Sequence, residues 1–201
     1  MAVVNLKMKK VVIKIVYYGP GRGGKTTSLE CIHRIYRDRI SAELVSIKTH
    51  GDRTLFFDFI PFEIGRVNGY DVKIQLYTVP GQVRYNATRR LVLRGVDGIV
   101  FVADSMAVQR EKNIVSLQNL QENLEIYKKD IFTIPIVMQY NKIDLRDQSI
   151  PLTDTDDLNS DLNSQLKAPW FETSALKGIN ISAALKKIIS ETLLSVRRTM
   201  K

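Results

Sequence analysis

The chain holds one cysteine, Cys31, among 201 residues. An internal disulfide is therefore excluded, which fits a reducing compartment. Cys31 falls in an apolar helical pattern and reads as a buried side chain. There are two histidines, His33 and His50, and neither has a cysteine or another histidine at metal-ligand spacing. A zinc-type centre is not expected. No stretch approaches the roughly 18 consecutive apolar residues that a membrane-spanning helix needs. The segment "MAVVNLKMKKVVIKIVYYGPG" has basic residues ahead of an apolar run, as a leader would. But Lys14 interrupts the run and no small-residue cleavage site follows, so a strand is expected. The final "RRTMK" contains no prenylation box. Low-complexity tracts, repeats and interleaved basic–aromatic platforms are also missing, and no nucleic-acid partner is expected.

What is present begins with charge. Thirty Lys and Arg against 21 Asp and Glu give +9 at neutral pH. The basic residues gather in three groups: Lys7, Lys9, Lys10 and Lys14; Arg84, Arg89, Arg90 and Arg94; and Arg197, Arg198 and Lys201. Each reads as solvated surface charge. Lipid contact, if any, would be electrostatic and steeply salt-dependent. A length near 200 residues suits one domain, expected over residues 1–201.

Apolar, β-rich runs alternate with helical periodicity. Residues 11–18, 55–65, 70–79, 98–105, 134–140 and 169–175 read as strands, and residues 38–53 as loop. Asn68-Gly69 is a strong hairpin-turn signal between the second and third strands. Helical spacing covers about 13 residues following the first strand, with Leu29, Ile32 and Ile35–Tyr36 at its apolar positions, then residues 83–94, 109–129 and 180–198, with a short helix in "TDTDDLNSDLN". An α/β fold follows: three layers built on a mostly parallel six-stranded sheet with one antiparallel edge hairpin. Ligands of such sheets sit at the carboxyl ends of the strands, and every motif below falls at one.

"GPGRGGKTT", Gly19 to Thr27, matches G-x-x-x-x-G-K-[ST] between a strand and a helix. Gly19, Gly21, Gly23 and Gly24 let the backbone wrap closely around phosphate, with its N–H groups and those of Lys25, Thr26 and Thr27 turned inward. The helix N-terminus adds its positive end. Lys25 reaches the β and γ phosphates, and the Thr26 hydroxyl is the Mg²⁺ ligand. "NKID" identifies the base. Asp144 can accept two hydrogen bonds from guanine, at N1–H and the 2-amino group, whereas adenine offers neither donor. Asn141 braces the loop, and the Lys142 stem lies along the base. "ETSALKG" adds Ser174, Ala175 and Leu176, from which a backbone N–H can meet the guanine carbonyl.

The P-loop, "PGQ", "NKID" and "TSALKG", in this order, resemble the Ras-like small GTPases. "RTLFFDF" and "YTVPGQVRYNATRRLVLRGVDGIVFVADS" bring the likeness closer to the MglA family of bacterial polarity and gliding-motility GTPases, over about residues 8 to 197. In the wider group an aspartate stands three residues before the "PGQ" glycine; here it is Thr78, which is normal in the MglA branch. The resemblance implies a Mg²⁺-dependent GTP/GDP switch that hydrolyses GTP slowly by itself. Thr54 would be the switch threonine on Mg²⁺ and the γ-phosphate, with Thr49 its competitor on sequence alone. Arg53 would be an arginine finger in cis, Gln82 would orient the attacking water, and Gly81 would sense the γ-phosphate. It also implies a roadblock-domain activating partner of MglB type, polarity or motility effectors, a monomer in isolation, and a cytoplasmic protein concentrated at a cell pole. The alternatives are a nucleotide-bound scaffold with negligible hydrolysis and, more remotely, an ATP-using P-loop enzyme. Arg22 and Asp58 receive no role.

Overall fold

The computed structural model describes residues 3–5, 8–39, 45–49, 53–67, 69–82 and 85–199; at 3, 4, 39, 45–49, 53–59, 62, 64, 67 and 199 it describes the backbone alone. The strands are β1 (Val3–Asn5), β2 (Lys10–Tyr18), β3 (Val45–Thr49), β4 (Arg53–Val67), β5 (Tyr70–Thr78), β6 (Gly98–Asp104), β7 (Ile136–Asn141) and β8 (Trp170–Thr173). The helices are α1 (Lys25–Ile35), α2 (Asn86–Leu93), α3 (Arg110–Glu125), α4 (Thr155–Leu162) and α5 (Ile181–Thr199). None of the helices in the described residues is long and apolar enough to cross a membrane.

The strands form one sheet in the order β3-β4-β5-β2-β6-β7-β8, with β1 on β2. From β5 to β8 the pairs are parallel, and β4 joins β5 as an antiparallel hairpin. Among the described residues the sheet has eight strands rather than the six expected. One addition, β1, is too short to register as a periodic segment. It pairs with Lys10–Val12, ahead of Ile15, where β6 begins its pairing with β2. The other, β3, lies inside the stretch read as loop, where "VSIKT" is both short and polar. It closes an antiparallel ribbon with the first part of β4. Asn68 of the hairpin turn lies outside the described residues. Val67 pairs with Tyr70 across it, and Gly69 has φ 82°, as a two-residue turn requires.

Side chains alternate to the two sheet faces. On one face Val11, Ile13, Ile15, Tyr17, Ile74 and Val102 pack under Leu29, Cys31 and Ile32 of α1 and Ala184, Leu185 and Ile188 of α5. On the other, Val16, Tyr18, Phe101, Met138 and Tyr140 pack under α2, α3 and α4 through Leu93, Leu120, Leu124, Leu158 and Leu162. Every β6 residue is buried, as expected of a parallel strand covered on both faces. Cys31 is buried in the first core. Trp170, the first residue of β8, is 44% exposed and stacks on buried Tyr140 at 5.8 Å between ring centroids. A strand at the sheet edge has a neighbour on one side only.

Candidate functional site

The loop Gly19–Gly24 leaves the carboxyl end of β2 and opens α1. Gly24 caps the helix at φ 101°, a left-handed conformation that side chains rarely adopt. A Cβ there would also lie 2.1 Å from Asn141 Nδ2. The reason is a bond one residue earlier: Asn141 Nδ2 donates to the Gly23 carbonyl at 2.8 Å. Lys25 folds back over the loop, its Nζ donating to the carbonyls of Gly19 (3.0 Å) and Pro20 (2.7 Å). Thr26 and Thr27 lie half-buried in the first turn, whereas Arg22 is exposed.

Asn141 joins three segments. Besides Gly23, its Oδ1 accepts the Ala175 N–H (2.9 Å) and the Thr173 hydroxyl (3.2 Å). "NKID", the P-loop and "TSALKG" are thereby held in one fixed arrangement. Ser174 and Ala175 are buried and Leu176 is exposed. Asp144 is 6% exposed, and its carboxylate has no hydrogen bond or ion pair among the described residues. A buried carboxylate needs donors, and the N1–H and 2-amino groups of guanine supply two. The residues present therefore fit a guanine nucleotide. They also fit Mg²⁺, a hard cation that takes hydroxyl, phosphate and water oxygens. Among the described residues no group of three or more His, Cys, Asp or Glu is arranged to hold a metal, so hydroxyls and the nucleotide's own phosphates would have to serve. Thr78, in the Mg²⁺-side position of the wider family, is fully buried at the end of β5 and pairs with Tyr17 of β2.

The "PGQ" segment packs directly on the P-loop. A Cβ on Gly81 would lie 2.2 Å from Gly21 Cα and 2.6 Å from Gly21 N, so only glycine fits. Gln82, half-buried, follows immediately. Arg53 and Thr54 open β4, where they pair with Thr49 and Lys48 of β3. Pairing between β4 and β5 begins only at Phe59, opposite Tyr77. Arg53 thus stands six residues, on the order of 20 Å along an extended strand, beyond that point, on the ribbon at the carboxyl end of β5. The side chains of Thr49, Arg53 and Thr54, and those of Phe56, Phe57, Asp58, Phe59 and Phe62, lie outside the described residues. So does all of Arg84.

Two residues take places in the site that the sequence alone does not assign them. Asp104, the last residue of β6, is fully buried and binds Lys142 Nζ at 2.6 Å. Arg89 of α2, read as surface charge, is the largest fully buried side chain among the described residues. Its Nε donates to the Pro80 carbonyl (2.8 Å). Nη1 donates to Asn119 Oδ1 (2.5 Å) and to the Tyr18 hydroxyl (3.3 Å). Nη2 donates to the carbonyls of Gly81 (2.9 Å) and Gly19 (3.2 Å). Burial lowers its pKa below the usual arginine value and raises that of Tyr18. A signal was available: Asn113, Ser116, Asn119 and Asn123 recur at helical spacing on the buried face of α3. A polar stripe on a core face implies an interior polar partner.

The model of the Ras family matches residues 14–194. The chain belongs to the Ras family. It is a GTP-binding switch that works with Mg²⁺ and hydrolyses GTP to GDP and phosphate. It is 40% identical over 198 residues to "Mutual gliding-motility protein MglA" of Myxococcus xanthus, covering 98% of this chain and 99% of that one. It is 27% identical to the Ypt/Rab-type GTPase Rab7 of Neurospora crassa, over 92% of this chain and 84% of that protein. Ras-related protein Rab7 of Drosophila melanogaster is 26% identical, over 92% and 82%.

Proposed function

We propose that this Ras-family protein is a polarity or motility switch of MglA type, one domain over residues 1–201, monomeric alone, cytoplasmic and concentrated at a cell pole. What supports the pathway is the likeness to the Myxococcus motility protein over 98% of the chain. What supports the chemistry is the seating of Gly81 on Gly21, which sets Gln82 at the phosphate loop.

The P-loop amides and Lys25 hold the phosphates, and Asp144, Lys142, Ser174, Ala175 and Leu176 form the guanine end. Thr26, together with Thr54, is the protein's hydroxyl set for Mg²⁺. The bound ion would offset phosphate charge. Water attacks the γ-phosphorus in line, the bond to the β–γ bridging oxygen breaks, GDP leaves with that bond's electron pair, and the water's protons leave on the inorganic phosphate. Gln82 orients the water. Arg53 offsets charge developing on the phosphoryl oxygens. Arg53 stands on a ribbon that β5 does not pair with, and its placement at the site is assigned to a partner. A roadblock-domain protein of MglB type is the partner proposed, and polarity or motility effectors read the state.

Single-turnover GTP hydrolysis with Mg²⁺, with and without a roadblock partner, tests this for wild type, Arg53→Ala and Gln82→Ala. Acceleration of wild type and of neither variant is expected. Tight GTP binding without hydrolysis, even beside the partner, would make the protein a scaffold and remove the roles of Arg53 and Gln82.

A further inference from the structure

Arg89 has five guanidinium N–H groups, and all five are used. Every acceptor is a neutral oxygen. Among the described residues no carboxylate pairs with it. A buried cation is costly, and here complete hydrogen bonding and the Tyr18 ring over the guanidinium offset that cost. Surface solvation would have been the easier fate for an arginine on a short helix. The acceptors explain the burial, because three of the five are main-chain carbonyls of the two phosphate-facing segments: Gly19 in the P-loop, and Pro80 and Gly81 in "PGQ".

The peptide bond is planar and trans, so fixing a carbonyl fixes the following N–H antiparallel to it. The bond to the Pro80 carbonyl orients the N–H of Gly81. The bond to the Gly81 carbonyl orients the N–H of Gln82, and with it the start of the Gln82 side chain. Nη2 also bridges Gly81 to Gly19, whose carbonyl accepts from Lys25 Nζ as well. On the far side the guanidinium is anchored to α3. Asn119 Oδ1 accepts from it, and Asn119, Asn123, Tyr18 and Asn86 close a network around it (Tyr18 hydroxyl to Asn119 Oδ1 2.7 Å; Asn123 Nδ2 to Asn86 Oδ1 2.7 Å). The Tyr18 ring stacks 4.8 Å from its central carbon.

The geometry points to Arg89 as a positioning residue for GTP hydrolysis: a buried cation that locks the Pro80–Gly81–Gln82 backbone to the P-loop and to α3. It does not touch the reacting atoms. Its action runs through the Gly81 N–H and through Gln82, and so rests on the roles proposed for those two.

The test compares wild type, Arg89→Met, Arg89→Lys and Gln82→Ala in single-turnover GTP hydrolysis and GDP affinity, between about pH 6 and 9. Methionine keeps much of the volume and removes charge and donors. Arg89→Met is expected to slow hydrolysis by about tenfold or more while GDP affinity stays within about threefold. Lysine retains the charge at low pH, but burial lowers a lysine's pKa. Arg89→Lys should therefore hydrolyse best at the acid end and lose rate as pH rises through that lowered pKa, while wild type, whose arginine stays charged, shows no such fall. Wild-type hydrolysis in Arg89→Met, or equal factors lost from rate and affinity, would overturn the positioning role. If Arg89→Met does not fold, the Arg89→Lys profile decides, and a profile parallel to wild type overturns the role. Gln82→Ala separates the two readings: a wild-type rate there removes the role of Gln82 and leaves Arg89 acting through Gly81.

Discussion

Lys142 and Asp104 form an ion pair, Nζ to Oδ2 at 2.6 Å, in which the carboxylate has no exposed surface. Asp104 sits where β6 ends, opposite Asn141 of β7. Its other oxygen accepts the Met106 N–H at 3.1 Å, and the Asn113 side chain clamps its backbone on both sides, at 2.9 and 2.8 Å. The lysine of "NKID" is thus held from below by a fixed anion, while its backbone takes the left-handed conformation, φ 77°.

Asp104→Asn is expected to weaken guanine-nucleotide binding without altering the hydrolysis rate of bound GTP. Asparagine can still accept from Met106 but gives Lys142 no counter-charge. Removing one partner of a fully buried pair costs about 3–5 kcal/mol. Lys142 is about a quarter exposed and partly solvated, so roughly 1–2 kcal/mol is expected, or about 5- to 30-fold in Kd. Titration with a fluorescent GDP measures it, and an unchanged Kd would show that the pair does not organise the guanine end.

The parts of the site legible in sequence were those in which one local segment holds several chemical groups. "GPGRGGKTT" and "NKID" are each short and contiguous, so spacing sufficed, even though Asn141 and Lys142 also bond to remote segments. The sheet core was legible for the same reason, since β2, β6 and β7 are mostly apolar, interrupted inside only by Lys14 in β2 and Gln139 in β7. Arg89 and Asp104 were not, because their partners are remote: Arg89 lies 70 residues from Gly19 and 30 from Asn119, and Asp104 lies 38 from Lys142. A lone arginine beside Arg90 reads as surface until the fold turns one inward and leaves the other out. β3 was missed because a ribbon strand owes its existence to its partner rather than to its own hydrophobicity.

Thr78→Asp is expected to change the Mg²⁺ requirement. The position is fully buried and lies one strand from the P-loop, so an aspartate there would place an unscreened charge near the metal side of the site. With Mg²⁺ bound, that charge gains a partner; without it, the buried carboxylate is costly. The Mg²⁺ concentration for half-maximal nucleotide retention should fall by roughly tenfold, equivalent to about 1.4 kcal/mol, and the metal-free protein should melt earlier. Superimposable titrations for wild type and variant would show that residue 78 does not address the metal.

Gly81 and Gly21 touch, yet they should not tolerate alanine equally. A Cβ on Gly21 would meet Gly81 C and O at 3.6 Å and Gln82 Cγ at 3.8 Å, ordinary van der Waals distances. A Cβ on Gly81 would lie 2.2 Å from Gly21 Cα, 2.6 Å from Gly21 N and 2.9 Å from the Pro20 carbonyl, all rigid backbone. Gly81→Ala must therefore push "PGQ" off the P-loop, and with it the carbonyls that Arg89 holds. It should lose several degrees of Tm and at least about a hundredfold in single-turnover hydrolysis, the scale expected when aligned groups are displaced by about an ångström. Gly21→Ala should keep its Tm to within about 2 °C, the range expected of a substitution that creates no clash. Thermal melts of the two variants beside wild type give the comparison. Equal melting of both would mean that the close approach of Gly81 to the P-loop contributes nothing to the folded state.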